Sequence, residues 1–382
     1  MQTADLRIAL FSGNYNYTRD GANQALNRLM GYMLRQGAAV RVYSPTTATP
    51  AFEPTGDLVS LPSVPLPGRS EFQFPLGLPG DVRHDLERFA PNVVHISSPD
   101  VSSHRAVTWA RGRGVPVLSS VHTRFETYPR YYGVGFTEPL VEAILRRLYR
   151  RCDALVAPSR SMIDTLREQR MHSDISLWSR GVDRGIFASE KRDLAWRREN
   201  GIADSEIALV FLGRLVMEKG LDIFVDTARE LRERDVPHKV LVIGDGPARG
   251  WFEKNLPGGI FVGFQSGPDL GRALASGDVF FNPSITETFG NVTLEAMACG
   301  LPVVAASATG ASSLVTDGET GRLVPPGKAS DFADAIAPYC TDGALRAAHG
   351  AAGEARSKDY SWDAINQAVA DVYLRLVEAR RA

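Results

Sequence analysis

Cysteine is scarce in this 382-residue chain: Cys152, Cys299 and Cys340 lie far apart, with no Cys-x-x-Cys pair. That excludes a disulfide framework, and the seven histidines show no zinc-ligand spacing, so no metal is expected. Long apolar runs are missing too; nothing approaches the ~18 residues of a membrane-crossing helix. Asp5 and Arg7 precede only a short apolar stretch, Ile8 to Phe11, too brief and too charged for a signal peptide. The expected location is the cytoplasm, with the inner face of the membrane left open.

Lysine is absent from residues 1–180, which hold 21 arginines against 16 acids; the remainder holds 22 basic and 28 acidic residues. The halves therefore carry +5 and -6, summing to the net charge of -1. No dense basic patch accompanies this, so nucleic acid is not an expected partner. A solvated charged face is the simpler reading of the basic half, and an anionic acceptor or lipid surface is the other. Hydrophobic residues at 44% and charged residues at 23% exclude disordered or coiled-coil chains. The length suits two domains.

Apolar runs and helical patterns alternate along both halves. Leu6 to Ser12, Ala39 to Tyr43, Val93 to Ile96, Val115 to Val121 and Ala154 to Ala157 read as buried strands, with a helix over 21–35. A second series runs through Ala208 to Leu212, Val240 to Ile243, Ile260 to Phe264, Val279 to Phe281 and Val303 to Ala305. Residues 45–80, rich in Pro and Gly, show no period. The expectation is α/β: two doubly wound, Rossmann-like domains facing across a cleft, at 1–180 and 205–360, joined by a linker at 181–204. Residues 361–382 form a final helical pattern whose docking partner the sequence leaves open, return onto the first domain being one arrangement.

The chemistry-bearing residues cluster in the second half. In Asn282-Pro283-Ser284-Ile285-Thr286-Glu287-Thr288-Phe289-Gly290-Asn291, a strand ends, a turn carries Glu287, and Gly290 permits close backbone approach before a helix that carries Glu295. Helix capping and a surface carboxylate are the bland explanation of the pair. In Phe211-Leu212-Gly213-Arg214-Leu215-Val216-Met217-Glu218-Lys219-Gly220, two cations follow a strand end, suited to a diphosphate. Gly244-Asp245-Gly246-Pro247 follows another strand, yet Arg249 replaces the third glycine of a dinucleotide fingerprint, and no Walker loop is present. In the first half, Gly21 opens a helix after the first strand, and His122 follows the strand ending at Val121, where an imidazole can meet a substrate hydroxyl or a developing oxyanion, a satisfied structural histidine being the bland explanation. His95 alternates inside a strand and reads as core. Helix 140–148 has one apolar face with Arg146, Arg147, Arg150 and Arg151 nearby, which reads as a domain helix with a basic exterior before it reads as a lipid contact.

Glu287 and Glu295, with Glu-Ala-Met-Ala-x-Gly-x-Pro-Val-Val following, resemble the signature of the retaining glycosyltransferases of family 4, of GT-B fold. The strings around His122, at Arg180-Gly181-Val182-Asp183 and at 286–292 look closest to bacterial lipid transferases using GDP-mannose, or UDP donors for sulfoquinovosyl and glucuronosyl transfer. The resemblance implies that Arg214 and Lys219 hold the donor diphosphate and Glu295 the ribose. Glu287 with Thr288, Phe289, Gly290 and Asn291 would orient the sugar, and Val262 and Gly263 would face the base. Gly213, Gly246 and Gly21 would lie along the donor, although many relatives carry a Gly-Gly pair where only Gly21 stands here. His122 would act from the first domain, on a lipid or glycan acceptor. The nucleotide sugar is a substrate, and no cofactor is implied. A catalytically silent nucleotide-sugar binder is the non-enzymatic alternative.

Overall fold

The computed structural model describes every residue except 19, 67–68, 128–134, 288, 309 and 382, and no side chain at 66, 69–71 or 127. The chain forms two compact units, one made of Met1–Ser179 with Trp362–Ala382, the other of Arg180–Ser361.

The first unit is built on a seven-stranded parallel sheet. Its strands are β1 (Arg7–Phe11), β2 (Ala39–Ser44), β3 (Asp57–Ser60), β6 (Val93–Ile96), β7 (Val117–Ser120), β8 (Ala154–Ala157) and β9 (Ile175–Leu177), in the order β3-β2-β1-β6-β7-β8-β9. β4 (Ser63–Leu66) and β5 (Arg69–Pro75) pair separately as an antiparallel hairpin. Central strands such as β6 and β8 are buried at every position, as a sheet covered on both faces requires. The helix Gly21–Arg35 starts where the Asp20 carboxylate accepts from the amides of Ala22 and Asn23 at 2.9 and 2.8 Å, and it buries Leu26, Leu29, Met30 and Met33.

The C-terminal helix Trp362–Arg381 covers the same sheet face, burying Val369, Tyr373, Leu376 and Val377 with Leu10, Val42 and Trp178. It thus belongs to the first unit.

The second unit holds six parallel strands: β10 (Ala208–Leu212), β11 (Lys239–Ile243), β12 (Ile260–Phe261), β13 (Val279–Asn282), β14 (Val303–Ala306) and β15 (Gly321–Val324), in the order β12-β11-β10-β13-β14-β15. The stretch 181–204, expected as a linker, packs into this unit. Its anchor is Arg197, fully buried, whose guanidinium meets Asp278 at 2.9 Å and donates to the carbonyls of Ser276 and Glu206.

Several strands differ from their expected extent. β12 stops at Phe261 because the chain turns at Gly263, with φ of +71°. Residues 45–80, which show no period, carry β3, β4 and β5: β3 is a half-exposed edge strand and the hairpin stands outside the sheet, so neither needs a continuous apolar run.

Candidate active site

In each sheet the strand order reverses at one place, between β1 and β6 and between β10 and β13. Loops leaving the carboxyl ends of such strands diverge and open a crevice for ligands. In the second unit those two loops carry Arg214 with Lys219, and Glu287.

The loop after β10 is held by direct backbone packing. A methyl on Gly244 would lie 1.9 Å from the Gly213 carbonyl oxygen, and one on Gly246 2.4 Å from that of Leu215. Only glycine permits this contact, through which the Leu215 amide donates to Asp245 at 2.9 Å and that of Ala248 to Leu215 at 3.0 Å. Gly246, expected along the donor, here braces the loop that carries Arg214. Arg214 itself is exposed and has no ion-pair partner among the described residues.

A short 3-10 turn, Met217–Lys219, then delivers Lys219 and ends at Gly220, which packs on the Pro283 carbonyl. Lys219 Nζ donates to Glu287 Oε1 at 2.9 Å, with the two side chains 30% and 15% exposed. Thr286 Oγ1 donates to the Glu218 carbonyl at 3.3 Å, so two contacts tie the β10 and β13 loops together. At the end of β13 the Asn282 side chain accepts from the Ser284 amide and donates to Thr293, both at 3.1 Å, which fixes where the Glu287 turn begins.

The helix Asn291–Ala298 follows Gly290, whose φ is +92°, and no side chain caps it. Glu287 Oε2 lies 3.5 Å from the position a Gly290 methyl would take, so the carboxylate stands beside that N-terminus. Phe289 is buried with its ring edge-on to Tyr360, and Glu295 is half-buried within the helix. Thr288 lies outside the described residues. The carbonyls of Gly263 and Val262 already accept, from the Gly244 amide at 2.9 Å and the Gln265 side chain at 2.8 Å.

His122 and Gly21 belong to the first unit. His122 sits just past β7, buried, its ring edge-on to Trp178 at 5.1 Å. The Ala22 and Asn23 amides that a phosphate at Gly21 would use are occupied by Asp20. At the reversal in this sheet, the Gly13 amide donates to Ser98 Oγ at 2.8 Å, Ser98 Oγ to Asp100 Oδ2, and the Ser103 amide to Asp100 Oδ1 at 2.9 Å. Burial pushes the Asp100 carboxyl upward. Sequence reasoning passed over this group, although an Asp directly before a helix is a capping signature.

Comparison with known proteins settles the class. Residues 19–185 match the model for "Glycosyltransferase Family 4" and residues 206–342 that for "Glycosyl transferases group 1". The GDP-mannose-dependent alpha-mannosyltransferase of Mycobacterium tuberculosis is 31% identical over 330 residues, 85% of each chain. The chain belongs to glycosyltransferase family 4. The sulfoquinovosyl transferase SQD2 of Arabidopsis thaliana is also 31% identical, over 94% of this chain and 71% of that one. In fold, a sucrose-phosphate synthase from Thermosynechococcus elongatus superposes with a TM-score of 0.79 at 20% identity, covering 97% of this chain and 99% of its own.

This family-4 glycosyltransferase, an α/β enzyme of GT-B fold with nucleotide-sugar donors, keeps Arg214, Lys219, Glu287 and Glu295 in one unit, the first three on the loops that leave β10 and β13 and the last in the helix that follows. Among the described residues, no group of three or more His, Cys, Asp or Glu side chains is disposed to hold a metal ion.

Proposed function

We propose that the enzyme moves mannose from GDP-mannose to a lipid or glycan acceptor with retention of anomeric configuration and without a metal ion. The observation that carries this reading is the Lys219–Glu287 ion pair where β10 and β13 part, with Arg214 exposed on the same loop after β10. As the glycosidic bond breaks, negative charge grows on the departing diphosphate and the sugar becomes oxocarbenium-like. Cations aimed at the diphosphate stabilise that state more than the ground state, which is what lowers a barrier. Arg214 offers a planar fork for phosphate oxygens and Lys219 a point charge, together supplying the stabilisation a divalent ion provides in other enzymes. Glu287 and the amides at 289–291 orient the sugar, Glu295 takes the ribose hydroxyls, and His122 in the first unit meets the transferred sugar.

GDP-mannose ranks first because the mannosyltransferase relatives match over most of both chains. The similarity to the sulfoquinovosyl transferase favours a second reading, a glycolipid transferase with a UDP-sugar donor. Association with the inner membrane face is part of the proposal. Leu140 and Ile144 stand 63% and 49% exposed on the helix Glu138–Tyr149, after Phe136 at 84%, with Arg147 and Arg150 exposed beside them. Exposed apolar side chains followed by arginines on one helix suit an anionic bilayer surface.

The test is incubation of purified enzyme with a panel of GDP- and UDP-sugars, with and without membrane lipid extract, followed by mass spectrometry. Consumption of GDP-mannose with a mannosylated lipid or glycan supports the reading. Consumption of a UDP-sugar alone replaces it with the second.

A further inference from the structure

Behind His122 lies a continuous column of rings that the mechanism above does not use. His122 packs edge-on to Trp178, with centroids 5.1 Å apart and planes at 65°. Trp178 packs edge-on to His95 at 6.1 Å, and His95 edge-on to Tyr373 at 5.8 Å. The column ends in a hydrogen bond between His95 Nδ1 and the Tyr373 hydroxyl. His95, Trp178 and Tyr373 are at most 1% exposed. They come from three distant parts of the sequence: β6, the segment just past β9, and the C-terminal helix.

Edge-on ring packing at these separations is directional, since the positive edge of one ring meets the negative face of the next. In a close-packed interior a ring cannot turn without moving its neighbour. The hydrogen bond is a directional polar contact at the closed end of the column, and it fixes the plane of the His95 ring. Apolar residues would fill the same volume without fixing an orientation, and a buried hydroxyl and imidazole cost desolvation that packing alone does not require.

We infer that Tyr373 is a positioning residue: from the C-terminal helix it fixes His95, and through the His95–Trp178–His122 column it sets the orientation of the His122 imidazole for sugar transfer. The inference rests on the proposed role of His122. It gives the return of the chain's last helix to the first unit a part in the reaction, beyond covering the sheet.

The experiment compares the wild type with Tyr373→Phe, which removes one buried oxygen and keeps the ring, and with Trp178→Phe, which shortens the column. Three readouts are taken on full-length enzyme: the thermal midpoint, kcat and KM for the donor, and the imidazole 1H–15N resonances of His122, assigned with His122→Gln. The expected result for Tyr373→Phe is a displaced His122 resonance and a kcat lowered about tenfold, with donor KM within about twofold, the pattern of a misplaced reacting group. Trp178→Phe should shift the same resonance further. If His122→Gln lowers transfer strongly while Tyr373→Phe leaves both the His122 resonance and kcat at wild-type values, the positioning inference is overturned and the role of His122 stands. If His122→Gln transfers sugar at the wild-type rate, the role of His122 fails, and with it the catalytic meaning of the column. A fall in thermal midpoint with an unmoved His122 resonance would reduce Tyr373 to a packing residue.

Discussion

Lys219 Nζ stands 2.9 Å from Glu287 Oε1, joining the loops that leave β10 and β13. The ion pair brings together residues 68 positions apart, and in the proposed function it makes Glu287 a rival of the donor diphosphate for the same ammonium. Replacing Glu287 with Gln frees Lys219 while removing the carboxylate proposed to orient the sugar. Nucleoside diphosphate binding should be kept or tightened by up to about fivefold, the worth of a partly exposed pair, and transfer should fall about a hundredfold or more. Calorimetry alongside a transfer assay reads both; an unchanged transfer rate removes Glu287 from the site.

Arg214, exposed and without an ion-pair partner among the described residues, is the cation already available to a diphosphate. Arg214→Ala should cost about a hundredfold in turnover or more, because the lost stabilisation is greatest as the leaving group departs. Transfer by the wild type should survive exhaustive chelation. Loss restored only by a divalent ion would contradict the metal-free proposal.

Gly244→Ala tests the packing beneath that arginine. The new methyl would meet the Gly213 carbonyl at 1.9 Å, at a φ of +140°, so the backbone must shift. Destabilisation of roughly 2–4 kcal/mol is expected from strain and overpacking together, with weaker nucleotide binding. Denaturant unfolding at wild-type midpoint would refute the brace.

Burial holds the His95 imidazole down to about 3, against 6.5 for the free side chain. The unfolded chain therefore binds a proton at His95 between those values and the folded chain does not, so this contribution to stability is full above 6.5 and is lost as pH falls toward 3. From pH 7 to 5 it amounts to about 2 kcal/mol. Denaturant unfolding of His95→Gln should show a correspondingly shallower loss over that interval than the wild type; parallel curves would contradict the assignment.

Phe136, Leu140 and Ile144 are expected to carry membrane association. Changing all three to Ser should weaken sedimentation with vesicles of anionic phospholipid about tenfold or more, given the apolar area withdrawn, and leave transfer to a water-soluble acceptor near wild type. Equal sedimentation of both proteins would remove this helix from the membrane proposal.

Much of this was legible in the residues. β8 and β10 are continuous apolar runs, and the helix Gly21–Arg35 has both its period and its cap, so their bounds agree with the sequence reading. The meeting of Lys219 with Glu287 required only that two loops leave adjacent strands of a parallel sheet. What stayed hidden depends on partners distant in sequence. β3 is too exposed to show an apolar run, and β15 shows its partner only once β14 is in place. Gly246 reads as a ligand turn until the Leu215 carbonyl is found against it. His95 reads as core, and nothing local to it points to a tyrosine 278 positions away.

Arg214 and Lys219 are proposed to grip the donor diphosphate in the second unit. A crystal structure with bound GDP tests this most directly. Diphosphate oxygens within hydrogen-bond distance of both side chains, with Glu295 on the ribose, are expected. A nucleotide bound elsewhere, with Arg214 in solvent and Lys219 still on Glu287, would contradict it.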